Sequence, residues 1–170
     1  FYNEDVAGLP PVLPTVLKVA MGMTLLQMAM GTQVREAVDI IAHHYNYGSR
    51  NLWVESLPLI FLVHRSFSSI ILFTNLWLVW QLWRHCRGSR VLRRVGIGMA
   101  GLVLTTILLG VAMDRMNMPA FAQPLHMWLA SLIFGAQFFV FMVIRYASQD
   151  TPANVEKRPQ AADMSRTLHH

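Results

Sequence analysis

Two histidines of this sequence lie inside long apolar segments. His64 belongs to LIFLVHRSFSSIILF (residues 59–73), and His126 belongs to FAQPLHMWLASLIFG (residues 121–135). Ionisable side chains within lipid-spanning helices are rare, face the protein interior and are functional candidates. Because imidazole is a common metal ligand, the pair points to a metal or metal-cofactor site.

The composition indicates that these segments lie in a membrane. Of 170 residues, 54% are hydrophobic and 14% charged, which is too apolar for a soluble domain of this size. A spanning helix needs about 20 mainly apolar residues. Four segments qualify, at about 12–34, 57–83, 95–113 and 119–146. We therefore predict an all-α polytopic membrane protein, a four-transmembrane-helix bundle over residues 12–146.

The two ends of the chain differ from these spans. Residues 1–11 begin with Phe1 and have no signal-peptide pattern, so we expect a cytoplasmic segment or linker in a fragment or processed product. Residues 147–170 are polar, and we expect a disordered cytoplasmic tail.

Basic residues set the orientation of the four spans. Arg84, Arg87, Arg90, Arg93 and Arg94 surround the second connection, as expected of a cytoplasmic loop. Both termini then lie in the cytoplasm, and ten of the Lys and Arg residues fall on that side against three, Arg35, Arg50 and Arg115, on the outer side. The net charge of +5 thus reflects helix ends facing membrane lipid, and we expect no nucleic-acid partner.

The predicted spans place both histidines at one depth. Counted from Leu57 and Pro119, each lies seven residues into an inward-running helix. At about 1.5 Å per residue, each is roughly 10 Å below the outer surface. Two such imidazoles can clamp a flat macrocycle from both faces. The alternative is that each histidine only forms a hydrogen-bonded bridge between helices.

The neighbouring residues favour a heme. Small side chains one turn away leave room for a porphyrin, and apolar ones suit its rim. The small residues are Ser68, Ala122 and Ala130, and the apolar ones are Phe61, Phe67, Trp128 and Leu129. Arginines on the outer side suit the two propionate groups of a heme, because a guanidinium pairs with carboxylates in a bidentate way. These are Arg35, Arg50, Arg65 and Arg115.

Other candidate groups have simpler interpretations. His43 and His44 lie in a polar outer segment, and His85 lies among arginines, so solvation explains them. Met113, Met116 and Met118 are an alternative soft-metal site. The single cysteine, Cys86, excludes an internal disulfide and a Cys-based metal cluster, and it is a plain thiol or an S-palmitoylation site.

Three motifs, in order and spacing, resemble the C-terminal half of heme A synthases. They are GTQVREAVD (31–39), HRSFS (64–68) and QPLHMWLASLIFG (123–135). The resemblance covers about residues 12–146 and implies one four-helix half of an eight-helix pseudo-repeat. It implies oxidation of the C8 methyl of heme O to the formyl group of heme A, for cytochrome c oxidase. His64 and His126 would then be the axial ligands of a cofactor heme b, whose iron has no open position.

The resemblance also implies partners. The other half would hold the substrate heme O, either as the N-terminal half of the same protein or as a second copy, and heme O synthase would be a further partner. Many family members carry a cysteine pair in an outer loop, which this chain lacks. If the chain acts as a half-size enzyme, Glu36 is the candidate catalytic acid, and the alternative is a surface pair with Arg35.

Two other functions stay open. One is a bis-His membrane cytochrome that relays electrons without converting heme, and the other is a membrane anchor without heme. A weak similarity between two segments of the chain, LLQMAM (25–30) and LLGVAM (108–113), suggests descent from a duplicated helix pair.

Overall fold

The computed structural model describes residues 9–86 and 88–149. Most of the predicted segment 1–11 and of the predicted tail 147–170 lies outside the described residues. The helices are α1 (Leu13–His44), α2 (Leu59–His85), α3 (Arg90–Arg115) and α4 (Ala122–Gln149). A short 3₁₀ turn, Arg50–Leu52, lies between α1 and α2.

Each of the four helices is long and apolar enough to cross a membrane, and the described residues contain no strand. The predicted fold class, an all-α four-helix membrane bundle, is therefore confirmed.

The helices form a closed ring in which each packs mainly against two others. The packed pairs are α1 with α2, α2 with α3, α3 with α4, and α4 with α1. At the end where α2 passes into α3, the core contains the buried Leu17, Leu82, Leu92 and Val140. Because the sequential helices are neighbours, α2 and α4 lie across the bundle from each other.

Helix α1 extends well past residue 34, where its predicted span ends. Hydropathy falls at Arg35, but an apolar stripe continues with Val38 and Ala42, which are buried with Trp53 and Met118. Charged side chains occupy the other faces of the same turns. Packing therefore extends the helix beyond the lipid-soluble segment, and part of the predicted outer loop is helical.

Helix α3 begins at Arg90, ahead of its predicted start near residue 95. The side chain of Ser89 accepts a hydrogen bond from the backbone N–H of Leu92 at 3.0 Å and caps the first turn. Asn46 and Asn117, with φ of 48° and 55°, adopt the left-handed conformation just after α1 and α3. Asparagine tolerates this conformation and is a common residue at helix C-termini.

A buried chain of polar side chains links three helices. Thr24 of α1 donates to Gln137 of α4 at 3.1 Å, and Gln137 donates to Asn75 of α2 at 2.8 Å. All three residues are buried. In lipid, such groups must find partners within the protein, so these bonds fix how α1, α2 and α4 face one another.

We expect Gln137→Leu to lower the free energy of unfolding by about 1 kcal/mol or more, because Asn75 loses a buried donor and Thr24 keeps only its bond to the Ala20 carbonyl within α1. The measurement is SDS titration of the purified chain in mixed micelles. Ser131→Ala on the same helix is the control, since that exposed hydroxyl bonds only within α4. Asn75→Leu combined with Gln137→Leu should destabilise less than the sum of the single changes; strict additivity would contradict the network.

Candidate functional site

The two predicted histidines face each other across the bundle. The ring centroids of His64 on α2 and His126 on α4 are 6.5 Å apart, with the ring planes inclined by 59°. A first-row metal binds an imidazole nitrogen at about 2.0–2.1 Å, so two rings on opposite sides of one ion have centroids about 6.4 Å apart. The observed separation therefore suits a single metal ion between the rings.

Each ring packs against a glycine on the helix that precedes it in the chain. A Cβ atom added to Gly31 of α1 would lie 3.3 Å from Cε1 of His64. A Cβ atom added to Gly110 of α3 would lie 3.3 Å from Cε1 of His126. Both distances are shorter than ordinary van der Waals contact. A side chain at either position would therefore push its ring by a few tenths of an ångström, whereas glycine leaves the ring in place.

The glycine contacts leave the Nδ1 atoms against the helix backbone. Both Nδ1 atoms are buried and have no hydrogen-bond partner among the described residues. The backbone of Gln27 interacts electrostatically with the His64 ring, and that of Thr106 with the His126 ring, without reaching hydrogen-bond geometry at Nδ1. Metal-ligating histidines usually direct their second ring N–H at such a backbone carbonyl.

The other ring nitrogen of His64 is approached by a side-chain amide. Nε2 of Gln27 lies 3.5 Å from Nε2 of His64 and donates to the backbone oxygen of His64 at 2.9 Å. An amide nitrogen can only donate, so this contact favours the tautomer with a lone pair on Nε2 of His64. That lone pair is the one a metal ion requires.

The site repeats across the bundle with an approximate two-fold relation. Gly31 and Gly110 are equivalent by their histidine contacts. Asn75 and Gln137, which bond to each other, each follow their histidine by eleven residues, about three turns. The pair α3–α4 thus repeats the pair α1–α2, and the equivalent glycines Gly31 and Gly110 are 79 positions apart. The similar segments LLQMAM and LLGVAM are 83 positions apart. They therefore differ by four residues, about one helical turn, from the equivalence that the structure shows.

A cavity of about 200 Å³ surrounds the two rings and is lined by all four helices. Its wall is mainly apolar. Of the small and apolar side chains predicted near the histidines, Phe61, Ser68 and Ala130 line it. Phe67, Ala122, Trp128 and Leu129 do not belong to the lining. Trp128, with 60% of its surface exposed, points away from the bundle.

Two of the predicted arginines border the cavity. Arg65 donates to Asp114 of α3 at 3.1 Å, and Arg35 lies 3.7 Å from Asp39. Arg115 is exposed and lies outside the cavity lining, as does Arg50, which stacks on Trp53. Asp114 also borders the cavity and is not among the residues predicted from the sequence. Its position at the end of an apolar helix is the only sequence feature that would have indicated it.

Glu36 lies apart from the histidines. It is exposed on α1 and lines a separate shallow depression with Thr32, Asp39 and His43. The structure therefore does not bring this predicted acid to the cavity between the rings, and its catalytic role stays a prediction.

The ligand set suits an iron porphyrin. Among the described residues there is no group of three or more His, Cys, Asp or Glu side chains that would hold a bare metal ion. Zinc sites use three or four protein ligands, whereas a porphyrin iron needs only two axial ones. Two facing imidazoles in an apolar cavity fit that requirement.

The alternative sites are less favourable. Met113 and Met118 border the cavity, but Met116 is 64% exposed, so the three sulfurs do not share one site. Cys86 is fully buried in the bundle core, which disfavours its lipidation.

Comparison with known proteins identifies the family. A family model described as COX15-CtaA, cytochrome oxidase assembly protein, matches residues 5–138. The chain belongs to this family. The match spans α1 to α3 and most of α4, and it confirms the relationship to heme A synthases expected from the three motifs. No curated protein and no solved structure gives a significant match. Membership supports a role in cytochrome oxidase assembly.

The glycine contacts make a specific prediction for this COX15-CtaA chain. Gly110→Val should lower the affinity for added heme at least tenfold, because the branched side chain displaces the His126 ring. Gly31→Val should act likewise through His64. Heme titration followed by the Soret band measures both.

Gly101→Val on α3 and Gly22→Val on α1 are the matched controls, because a Cβ added at either position meets no atom within 4 Å. Equal losses in all four variants would show that helix propensity, rather than room for the rings, causes the effect.

Proposed function

We propose that this chain is a heme-holding four-helix unit of a heme A synthase, with His64 and His126 as axial ligands of a b-type heme. The enzyme would oxidise the C8 methyl of heme O to the formyl group of heme A for cytochrome oxidase. The observation that carries the proposal is the 6.5 Å separation of the two rings, in a part of the described structure where no group of three or more His, Cys, Asp or Glu side chains could hold a bare metal ion.

The two histidines would hold the iron from both sides. When bound, such a heme supplies one-electron transfer, since an iron with two protein ligands has no open position for substrate. Gly31 and Gly110 would set the position of the rings. Arg65 and Arg35, at the edge of the cavity, would pair with the propionates.

The outer end of the bundle would keep water from the rings. Val38 and Met118 belong both to the cavity lining and to the apolar cluster with Trp53 and Ala42. A dry, apolar surrounding strengthens interactions between the charged groups of a cofactor and the protein. This cluster would therefore favour heme binding without contributing a ligand.

The substrate heme O would occupy a second four-helix unit, either the N-terminal half of the same protein or another copy. Heme O synthase would supply it. Glu36 remains the candidate acid of a half-size enzyme, and because it is exposed on α1 it would act on a heme held outside its own bundle. We further propose that both termini are cytoplasmic, in a bacterial-type inner membrane, with the heme toward the outer side.

The first test is the visible spectrum of the purified chain reconstituted with heme. We expect a low-spin b-type spectrum in the wild type, loss of the low-spin signal in His64→Ala and in His126→Ala, and no specific binding in the double variant. His85→Ala is the control, since this histidine bonds only within α2. Persistence of the low-spin signal in the double variant would refute the ligand assignment.

The second test separates an enzyme from an electron relay. The chain is supplied with heme O, alone and with a second four-helix unit, and heme A is measured by chromatography. Formation of heme A supports the enzyme. A chain that binds heme at His64 and His126 but forms no heme A in either case is a bis-His cytochrome.

The charged groups at the cavity edge should set the heme potential. Arg65→Gln should lower the midpoint potential by about 20–40 mV, the equivalent of 0.5–1 kcal/mol, because a cation near the iron favours the reduced form. Asp114→Asn should raise it, since it removes the carboxylate that pairs with Arg65. Spectroelectrochemical titration measures both shifts.

Arg115→Gln is the comparison, because Arg115 is also a predicted propionate partner but lies outside the cavity lining. The change in midpoint potential should be smaller for Arg115→Gln than for Arg65→Gln. A larger shift for Arg115→Gln would make Arg115 rather than Arg65 the main propionate partner.

A further inference from the structure

Two arginine–tryptophan pairs lie near the point where α2 passes into α3. The guanidinium of Arg84 lies 5.3 Å from the Trp80 ring centroid, and that of Arg93 lies 6.0 Å from the Trp83 ring centroid. The first pair is formed within α2, and the second joins α3 to α2. We call these four residues the Arg–Trp patch.

The patch faces outward from the bundle. Trp80 and Trp83 are 48% and 57% exposed, and both arginines are exposed. On the same face of α2, Phe73 and Leu76 are also exposed and continue the apolar surface away from the arginines. The spacing of 73, 76, 80 and 83 places these four side chains in one stripe along the helix.

The arginines of this end lack acidic partners in the described part of the chain. The two ion pairs found there, Arg35–Asp39 and Arg65–Asp114, lie at the opposite end of the bundle. Glu36 and Glu55, the remaining described carboxylates, also belong to that end. The patch therefore presents positive charge that no described carboxylate neutralises.

The guanidinium groups of Arg84 and Arg93 lie over indole rings at 5.3 Å and 6.0 Å, and this cation–π contact favours a position beside the tryptophan. Because both arginines are exposed, the N–H edge of each guanidinium is available for hydrogen bonds. That edge matches the oxygens of a phosphate in a bidentate arrangement. Tryptophan itself prefers the boundary between hydrocarbon and headgroups. The patch thus combines phosphate donors with side chains that place them at headgroup depth.

From these features we propose that Trp80, Trp83, Arg84 and Arg93 bind the phosphate headgroup of one anionic phospholipid. The phosphodiester lies between the two guanidinium groups, and an acyl chain lies along Phe73 and Leu76. The charge of the patch favours an anionic lipid over a zwitterionic one, and the apolar stripe favours a lipid over free phosphate. This site is separate from the histidine cavity and independent of heme.

Native mass spectrometry of the full chain tests the proposal. The protein is mixed in detergent with equal amounts of phosphatidylglycerol and phosphatidylcholine that carry the same acyl chains. We expect retention of one phosphatidylglycerol in preference to phosphatidylcholine. Arg84→Gln with Arg93→Gln should reduce this preference more than tenfold, because both guanidinium groups that would form charge-assisted hydrogen bonds with the phosphate are lost.

Arg90→Gln with Arg94→Gln is the matched control. It removes the same charge from the same end of the bundle, but neither of these exposed arginines stacks on a tryptophan in the described structure. We expect it to keep at least a third of the wild-type preference. An equal loss in both double variants would show a general charge effect and overturn the site.

Trp80→Leu with Trp83→Leu keeps all charges and should also weaken the preference, since the guanidinium groups lose their support. This variant decides the question if the first arginine pair fails to fold, which thermal unfolding reveals. An unchanged preference in it overturns the proposal. So does a wild type without preference for phosphatidylglycerol.

Discussion

Each imidazole of the site rests against a glycine of the neighbouring helix, and this contact limits where both rings lie. A Cβ at Gly31 or Gly110 would approach the ring carbon to 3.3 Å. A side chain at either glycine would therefore push the ring by a few tenths of an ångström. Two such contacts, one on each side of the bundle, accompany the 6.5 Å separation of the two rings.

The buried chain of polar side chains also helps to fix the positions of the two histidines. Thr24, Gln137 and Asn75 join α1, α4 and α2 about three turns from the histidines toward the opposite end. In hydrocarbon, polar groups that lose their partners are destabilising, so these bonds resist rotation of any of the three helices. Since Asn75 and Gln137 are on the helices that carry the histidines, the orientation of each ring is tied to this network.

The arginines at the two ends of the bundle have different kinds of partner. At the end near the histidines, Arg65 pairs with Asp114 and Arg35 with Asp39, so cations are held at the edge of the cavity by carboxylates. At the other end, Arg84 and Arg93 rest on tryptophans and have no described acidic partner. At the cavity edge, a bound anion could take the place of the carboxylate beside each arginine. At the other end, Arg84 and Arg93 could bind an anion from outside the protein without displacing a described carboxylate.

Hydropathy alone identified four helices that are long and apolar enough to span a membrane, because lipid requires long apolar segments with internally satisfied backbone. The histidines could be singled out from sequence because ionisable groups at that depth are exceptional, and the motifs identified the family. The end of α1 at His44 could not be predicted, since burial of Val38 and Ala42 against Trp53 and Met118 extends the helix after hydropathy falls.

The tertiary structure alone decided which neighbours of the histidines form the site. Phe61 and Ala130 line the cavity while Trp128 points outward, because successive residues of a helix differ by about 100° in direction and spacing does not show which face is inside. The contacts of Asp114 with Arg65 and of the two glycines with the histidines likewise became visible only once the helices were packed. Their roles depend on contacts between helices, which no single stretch of sequence contains.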